Sequence, residues 1–327
     1  MKTVFQRLAV CLFCSLLAGN AFAADKKDWP DQLRFMAGPP GGNWFALGTA
    51  LADVWTKEVL NTSSSSGGGV SNIINANSRK GDFGFSVTSF LGAAMKGEED
   101  FKGRTIDNAV IMANLYTQVT YFIVRKEFAD ANNIKTVGDL LKNKVRFATL
   151  KPGTASEFAV KVLFKKGYNT DTNALKGEQG WSVEYASYEG GADLMADNHI
   201  DCFAFSVGSV ASIVMNIESK QEVVVLEVEQ EALDAVAEAY GTTTYSIPPG
   251  VYQSVTAPTR TLGDYTCIVI RKDLPESLVY ELNKSMWENR QSLVEAVKDM
   301  QELTPEIALP AGVPSHAGSE KFWKSVK

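Results

Sequence analysis

Short apolar runs alternate along this chain with segments whose apolar positions recur every three to four residues, and the junctions are rich in glycine, serine and threonine. Leu33 to Ala37 is the first such run and predicts a strand. The turn Gly38-Pro39-Pro40-Gly41-Gly42 follows, and from Trp44 to Lys57 the residues Leu47, Leu51, Val54 and Trp55 fall on one stripe of a helix. Asn43 is suited to cap that helix, and the glycines let backbone approach a ligand. The design recurs. Asn61 to Gly69 reads as a Ser/Gly-rich loop leading to a helix at Val70, and Asp82 to Val87 as a strand ending in Thr88-Ser89 before a helix from Phe90. Val145 to Leu150 is a strand followed by Pro152-Gly153-Thr154-Ala155-Ser156 and a helix through Lys166. Each helix start offers unpaired N–H groups and the positive end of a dipole, which attract an anion. In an open parallel sheet such turns lie along one edge and can converge on one site.

Two further runs, Val110 to Tyr116 and Val119 to Arg125, read as separate strands. The stretch Tyr121 to Glu127 has an echo in Tyr265 to Asp273, read here as two equivalent strands that carry the chain between domains. Between them the pattern is again α/β: strand Val183 to Ala186, helix Gly190 to Asn198, strand Ile200 to Ser206 ending at Val207-Gly208-Ser209, and Val223 to Val228. The expectation is an α/β protein of two lobes, residues 24–121 with 264–327 and residues 122–263. Each lobe would be a mostly parallel sheet flanked by helices, joined to the other by hinge strands.

Residues 1–23 read as a cleaved signal peptide, with Lys2 and Arg7, an apolar run from Leu8 to Ala18, and Ala21-Phe22-Ala23 as the cleavage site. An exported, periplasmic product follows. The formal charge of −6 would become −8 on losing Lys2 and Arg7, which argues against nucleic acid as a partner. Cys202 and Cys267 would remain, both in buried runs, and two buried thiols are favoured over a disulfide. With only His199 and His316 and no thiol cluster, the sequence shows no metal site and implies no cofactor.

The candidate ligand-binding residues are therefore those of the turns: Gly42, Asn43 and Trp44; Ser65, Ser66, Gly67 and Gly68; Thr88 and Ser89; Thr154, Ala155 and Ser156; and Ser206 and Gly208. Trp44 and Tyr116 would supply an aromatic wall, with Arg146 a lesser candidate for pairing a carboxylate. No nucleophile elbow, phosphate loop or zinc-protease helix is present, so no catalytic residue is assigned. Binding of a small organic anion without chemistry is the leading reading. An exported α/β enzyme acting on a small carboxylate, and an adhesin without a small ligand, are the alternatives.

Several of these stretches together resemble the TAXI-type solute-binding proteins of TRAP transporters. The carriers are Gly41-Gly42-Asn43-Trp44-Phe45-Ala46-Leu47-Gly48, Ser66-Gly67-Gly68-Gly69-Val70-Ser71-Asn72, Asp82-Phe83-Gly84-Phe85, Pro152-Gly153-Thr154-Ala155-Ser156-Glu157 and Ile247-Pro248-Pro249-Gly250-Val251-Tyr252, in that order over nearly all of the chain beyond the signal. The resemblance implies a monomeric two-lobed periplasmic binding protein of the type II fold. It also implies glutamate, 2-oxoglutarate or a related carboxylate as ligand, and a TRAP permease in the membrane, fused or in separate subunits, as partner. The chain departs from the family's pattern at two turns: Asn43 stands where threonine is common, and Val87-Thr88-Ser89 where Gln-Ser-Asp is common. The second departure removes an acid that would face a ligand amino group.

Overall fold

The computed structural model describes residues 26–327, so the signal-peptide reading lies outside the described residues. Ten strands form one curled sheet: β1 (Leu33–Met36), β2 (Thr62–Ser65), β3 (Phe83–Val87), β4 (Ala109–Arg125), β5 (Arg146–Thr149), β6 (Ser182–Tyr185), β7 (Cys202–Gly208), β8 (Val223–Val225), β9 (Thr243–Ile247) and β10 (Thr259–Arg271). Their order is β2-β1-β3-β10-β4-β7-β5-β6, with β8 on β4 and β9 on β10. Read inward from either end, the order is the same. The triplets β2-β1-β3 and β6-β5-β7 are parallel and meet across the antiparallel pair β10/β4.

β4 and β10 each belong to both halves. The first part of β4 pairs with β10, and from Gln118 to Val124 it pairs with β7. β10 pairs with β9 through Thr259 to Gly263, then with β3 through Thr266 to Ile270. The two apolar runs read as separate strands are thus one strand of 17 residues. Thr117 and Gln118 break the apolar pattern without breaking the strand, because Gln118 finds buried partners. Beyond them both faces of β4 are covered: Phe122 and Val124 join the core containing Phe147 and Phe164, while Tyr121 and Ile123 join another with Phe203 and Phe205.

The echo between Tyr121–Glu127 and Tyr265–Asp273 has a physical basis. Asp82 immediately precedes β3. Its carboxylate accepts from the Arg34 amide at 2.8 Å and pairs with Arg271, at the end of β10, at 2.7 Å. Asp201 immediately precedes β7, accepts from the Arg146 amide at 2.9 Å, and pairs with Arg125, at the end of β4, at 2.7 Å. Each half therefore has one buried acid tying the start of its first strand to the end of a shared strand.

Ser63 to Ser66 was expected in a loop, but Thr62–Ser65 is an edge strand in register with β1. Serine has little β-propensity. Here Ser63 and Ser65 return their hydroxyls to the Leu33 and Phe35 carbonyls, at 3.3 and 3.4 Å, which secures the pairing. Cys202 and Cys267 are both buried free thiols. Among the described residues no helix is long and apolar enough to cross a membrane.

Removing Asp201 leaves the nearly buried Arg125 guanidinium with only the exposed Glu127, at 3.6 Å, whereas Arg146 reaches solvent. Asp201→Asn is expected to cost about 3 kcal/mol at pH 7. Burial raises the carboxyl pKa of Asp201, but hydrogen bonds from Arg146 and Arg125 outweigh it and hold the group below its ordinary value. The stabilisation is thus present above the unfolded-state pKa of about 3.9 and fades as pH falls through the lower folded value. Urea unfolding at pH 7 and below 4 checks both points; equal cost at both would contradict the ion-pair account.

Candidate functional site

The sheet sets the helix starts. Helix Asn43–Glu58 follows β1 and helix Ala155–Val162 follows β5, which are equivalent strands of the two halves. Between them lies a cavity of about 20 Å³ lined by Gly42, Asn43 and Trp44 from one half and by Thr154, Ala155, Ser156 and Tyr188 from the other, with Gln118 and Ser206 between. A second cavity, also of about 20 Å³, shares Gln118, Ala155 and Ser206 and adds Ser89, Thr242 and Asp264. Gln118 belongs to both because on β4 it stands opposite Asp264 of β10 and Gly208 of β7. Each cavity is near the size of one or two waters.

Hydrogen bonds fix the walls. Trp44 Nε1 donates to Thr266 Oγ1 at 3.1 Å, and that hydroxyl donates to Gln118 Oε1 at 2.9 Å. The Ser206 carbonyl accepts from Ser156 at 3.1 Å and from Tyr188 at 2.9 Å. Asp299, from the short 3₁₀ helix Lys298–Glu302, accepts from Asn43 Nδ2 at 2.9 Å and from Ser209 Oγ at 2.6 Å, joining the two halves. A Cβ on Gly208 would strike Asp299 and Asn43. Outside the cavities, Lys165 meets Glu99 at 2.8 Å, Tyr240 donates to the same carboxylate at 2.9 Å, and Lys161 pairs with Asp100, again across the halves.

No lysine, arginine or histidine lines either cavity. Positive potential there comes from helix ends, each equivalent to about half a charge. The acids respond to their burial. Asp264 is pushed up to about 6 by desolvation, against the lowering effect of the Ser89 hydroxyl. Burial also raises Asp299 in spite of its donors, and pushes Tyr188 up to about 12.

The model of the NMT1-like family matches residues 35–326. The chain belongs to the NMT1-like family. Its fold is that of type II periplasmic binding proteins, shared with MatC from Rhodopseudomonas palustris, solved with bound malate (15% identity, 91% of this chain and 97% of that one, TM-score 0.53). It is shared too with the periplasmic binding protein BugD (14% identity, 91% and 94%, TM-score 0.52) and with a periplasmic transporter (12% identity, 90% and 92%, TM-score 0.50).

On this NMT1-like chain the candidate residues fall in different places. Gly42, Asn43, Trp44, Thr154, Ala155, Ser156 and Ser206 line the first cavity, and Ser89, Ala155 and Ser206 the second. Gly208 supports the first from β7. Asn43 does not cap its helix; Gly42 occupies the cap position and the Asn43 amide is turned to Asp299. Ser65 and Ser66 are exposed at the end of the edge strand, and Gly67 and Gly68 line neither cavity. The second turn instead meets the fourth: a Cβ on Gly68 would lie 2.7 Å from the Gly153 carbonyl oxygen, which accepts from the Ser71 amide at 3.5 Å. Thr88 turns to Asn114, at 2.7 Å. Tyr116 is fully buried rather than walling a cavity; its hydroxyl has no hydrogen-bond partner, the neighbouring Thr266 proton being committed to Gln118. Arg146 belongs to the Asp201 cluster. His316 caps helix Ala317–Ser325 through Nδ1.

Gln118, Tyr188, Thr242, Asp264 and Asp299 were not singled out from sequence. Asp264 restores an acid beside Ser89: their side chains are hydrogen-bonded. Because the folded pKa of Asp264, about 6, lies above its ordinary 3.8, the native state holds a proton more tightly than the unfolded chain does. The ionised residue therefore destabilises the fold above pH 6, and the effect disappears below about pH 4. Asp264→Asn is expected to gain up to about 3 kcal/mol at pH 8 relative to pH 4. Denaturant midpoints at both values test this, and a gap that does not depend on pH would refute it.

Proposed function

We propose that this protein is an extracytoplasmic solute-binding protein of a TRAP-type transport system. It takes up a small organic anion between two lobes and delivers it to an ion-gradient-driven permease in the membrane. The carrying observation is that the N-termini of two equivalent helices, one from each half of the sheet, line one cavity with no side-chain cation. Such ends provide oriented N–H donors and positive potential for a carboxylate. The family membership supports the reading, and MatC, of the same fold, has been solved with malate.

The lobes of this reading are residues 24–121 with 264–327, and 122–263. The hinge is the stretch of β4 and β10 around Gln118 and Gly263, where both strands change partners. Ligand pockets commonly occupy about 300–1,000 Å³. The two cavities of about 20 Å³ thus correspond to a closed arrangement, and entry requires the lobes to part. Glutamate, 2-oxoglutarate and related carboxylates are the ligands to try first.

The test is a melting-temperature screen of refolded, ligand-stripped protein over dicarboxylates, amino acids and sulfonates. A true ligand at a hundredfold excess over Kd adds about 2.7 kcal/mol of stability. No shift with any member, and no anion copurifying by mass spectrometry, would overturn the reading. A Cβ on Gly42 would lie 2.8 Å from Tyr188 Cε2 in the opposite half, so Gly42→Phe is expected to block closure. Calorimetric titration should show at least a tenfold loss of affinity with an unchanged circular-dichroism spectrum; unaltered affinity would remove the first cavity from the site.

A further inference from the structure

The second cavity has a character opposite to the first. It contains a buried carboxylate, Asp264, and no cation among its lining residues. Three donors reach the acid, the hydroxyl and the amide of Ser89 and the Tyr265 amide at 2.7 Å. A carboxylate has room for about four, so acceptor capacity remains. Beside it the Thr242 hydroxyl is buried without any hydrogen-bond partner. A buried, under-satisfied hydroxyl costs stability, and an unpaired buried carboxylate costs more. Neither is needed by the sheet: Thr242 lies just before β9, and the backbone of Asp264 pairs with Gln118 whatever its side chain.

We infer that Asp264 and Thr242 form the specificity-determining end of the binding site and receive an ammonium group on the ligand, whose carboxylate lies at the two helix ends in the first cavity. The inference rests on the anion-binding reading above and deepens it. Gln118 links the two ends, lining both cavities and holding Thr266 through Oε1. An ammonium satisfies Asp264 by charge and hydrogen bonding at once, and has a further proton for Thr242. The matching carboxylate without an ammonium would leave Asp264 buried and unpaired. The arrangement thus selects amino carboxylates over plain ones of equal length, through the charge that Asp264 gains or lacks.

The experiment compares matched pairs differing only by the ammonium, L-glutamate with glutarate and L-aspartate with succinate, by calorimetric titration of the wild type, Asp264→Asn and Thr242→Val. In at least one pair the wild type is expected to prefer the amino acid by tenfold or more. Asp264→Asn should shrink that ratio at least tenfold, mainly through loss of amino-acid affinity, and Thr242→Val should shrink it by a smaller factor. If glutarate or succinate binds with no preference for its amino partner, or if Asp264→Asn leaves the ratio unchanged, this inference falls and the anion reading stands. If no carboxylate in these pairs or in the wider screen binds to a folded wild type, both fall. Circular dichroism of each variant separates altered recognition from misfolding.

Discussion

The structure depends on two buried carboxylates that anchor the shared strands. Asp82 and Asp201 each accept a backbone N–H from the first strand of their half and an arginine from the end of β10 or β4. Both acids sit at the amino ends of β3 and β7, far from the turns. Fixing those ends fixes the register of the parallel triplets, and register decides where the opposite ends of the strands deliver their helices. The glycine turns can then approach each other closely in a fixed direction, as Gly42 does Tyr188 and Gly68 does Gly153. Charged anchors at one edge and closely packed glycine turns at the other are two consequences of one arrangement.

At the glycine edge, the energetic logic changes. The cavities hold no arginine or lysine, so an anion there would be held by helix ends and hydroxyls, each contributing modestly. In the carrier proposed above, a set of weak contacts drawn from both lobes would be lost together on parting, which suits release. The same region contains groups that oppose stability: Asp264 and Asp299 are raised by burial, and the hydroxyls of Tyr116 and Thr242 are left unpartnered. Strain of this kind is tolerated where another purpose offsets it. The ordered clusters around Asp82 and Asp201 supply stability elsewhere.

Much of the fold was legible because the chain announces it locally. The run Leu33 to Ala37 and the stripe Leu47, Leu51, Val54 and Trp55 carry strand and helix in their periodicity, and the Arg125 and Arg271 echo marked the paired strands before their acids were known. β2 was missed because Thr62 to Ser65 has no apolar alternation; its pairing comes from β1. The site was legible only as far as the turns. Trp44 and Ser156 lie within three residues of their glycines in sequence, whereas Gln118, Tyr188, Thr242, Asp264 and Asp299 come from distant elements. No local pattern signals that Ser89 and Asp264, 175 positions apart, share a hydrogen bond. Ser65, Ser66 and Gly68 have the composition of a ligand loop, but Ser65 and Ser66 are exposed at the end of β2 and Gly68 lies against the Gly153 backbone, so none of them lines either cavity.

The contacts that hold the halves together are of two physical kinds. Gly68 lies against Gly153 backbone to backbone, while Glu99 and Asp100 reach Lys165 and Lys161 through partly exposed charges. Mobile ions screen the second kind over about 10 Å at 0.1 M and about 3 Å at 1 M, and leave the first almost untouched. The salinity of the surrounding fluid therefore acts on one arm of the clasp alone, and dilution strengthens the contact between the halves without any change in the residues that line the cavities.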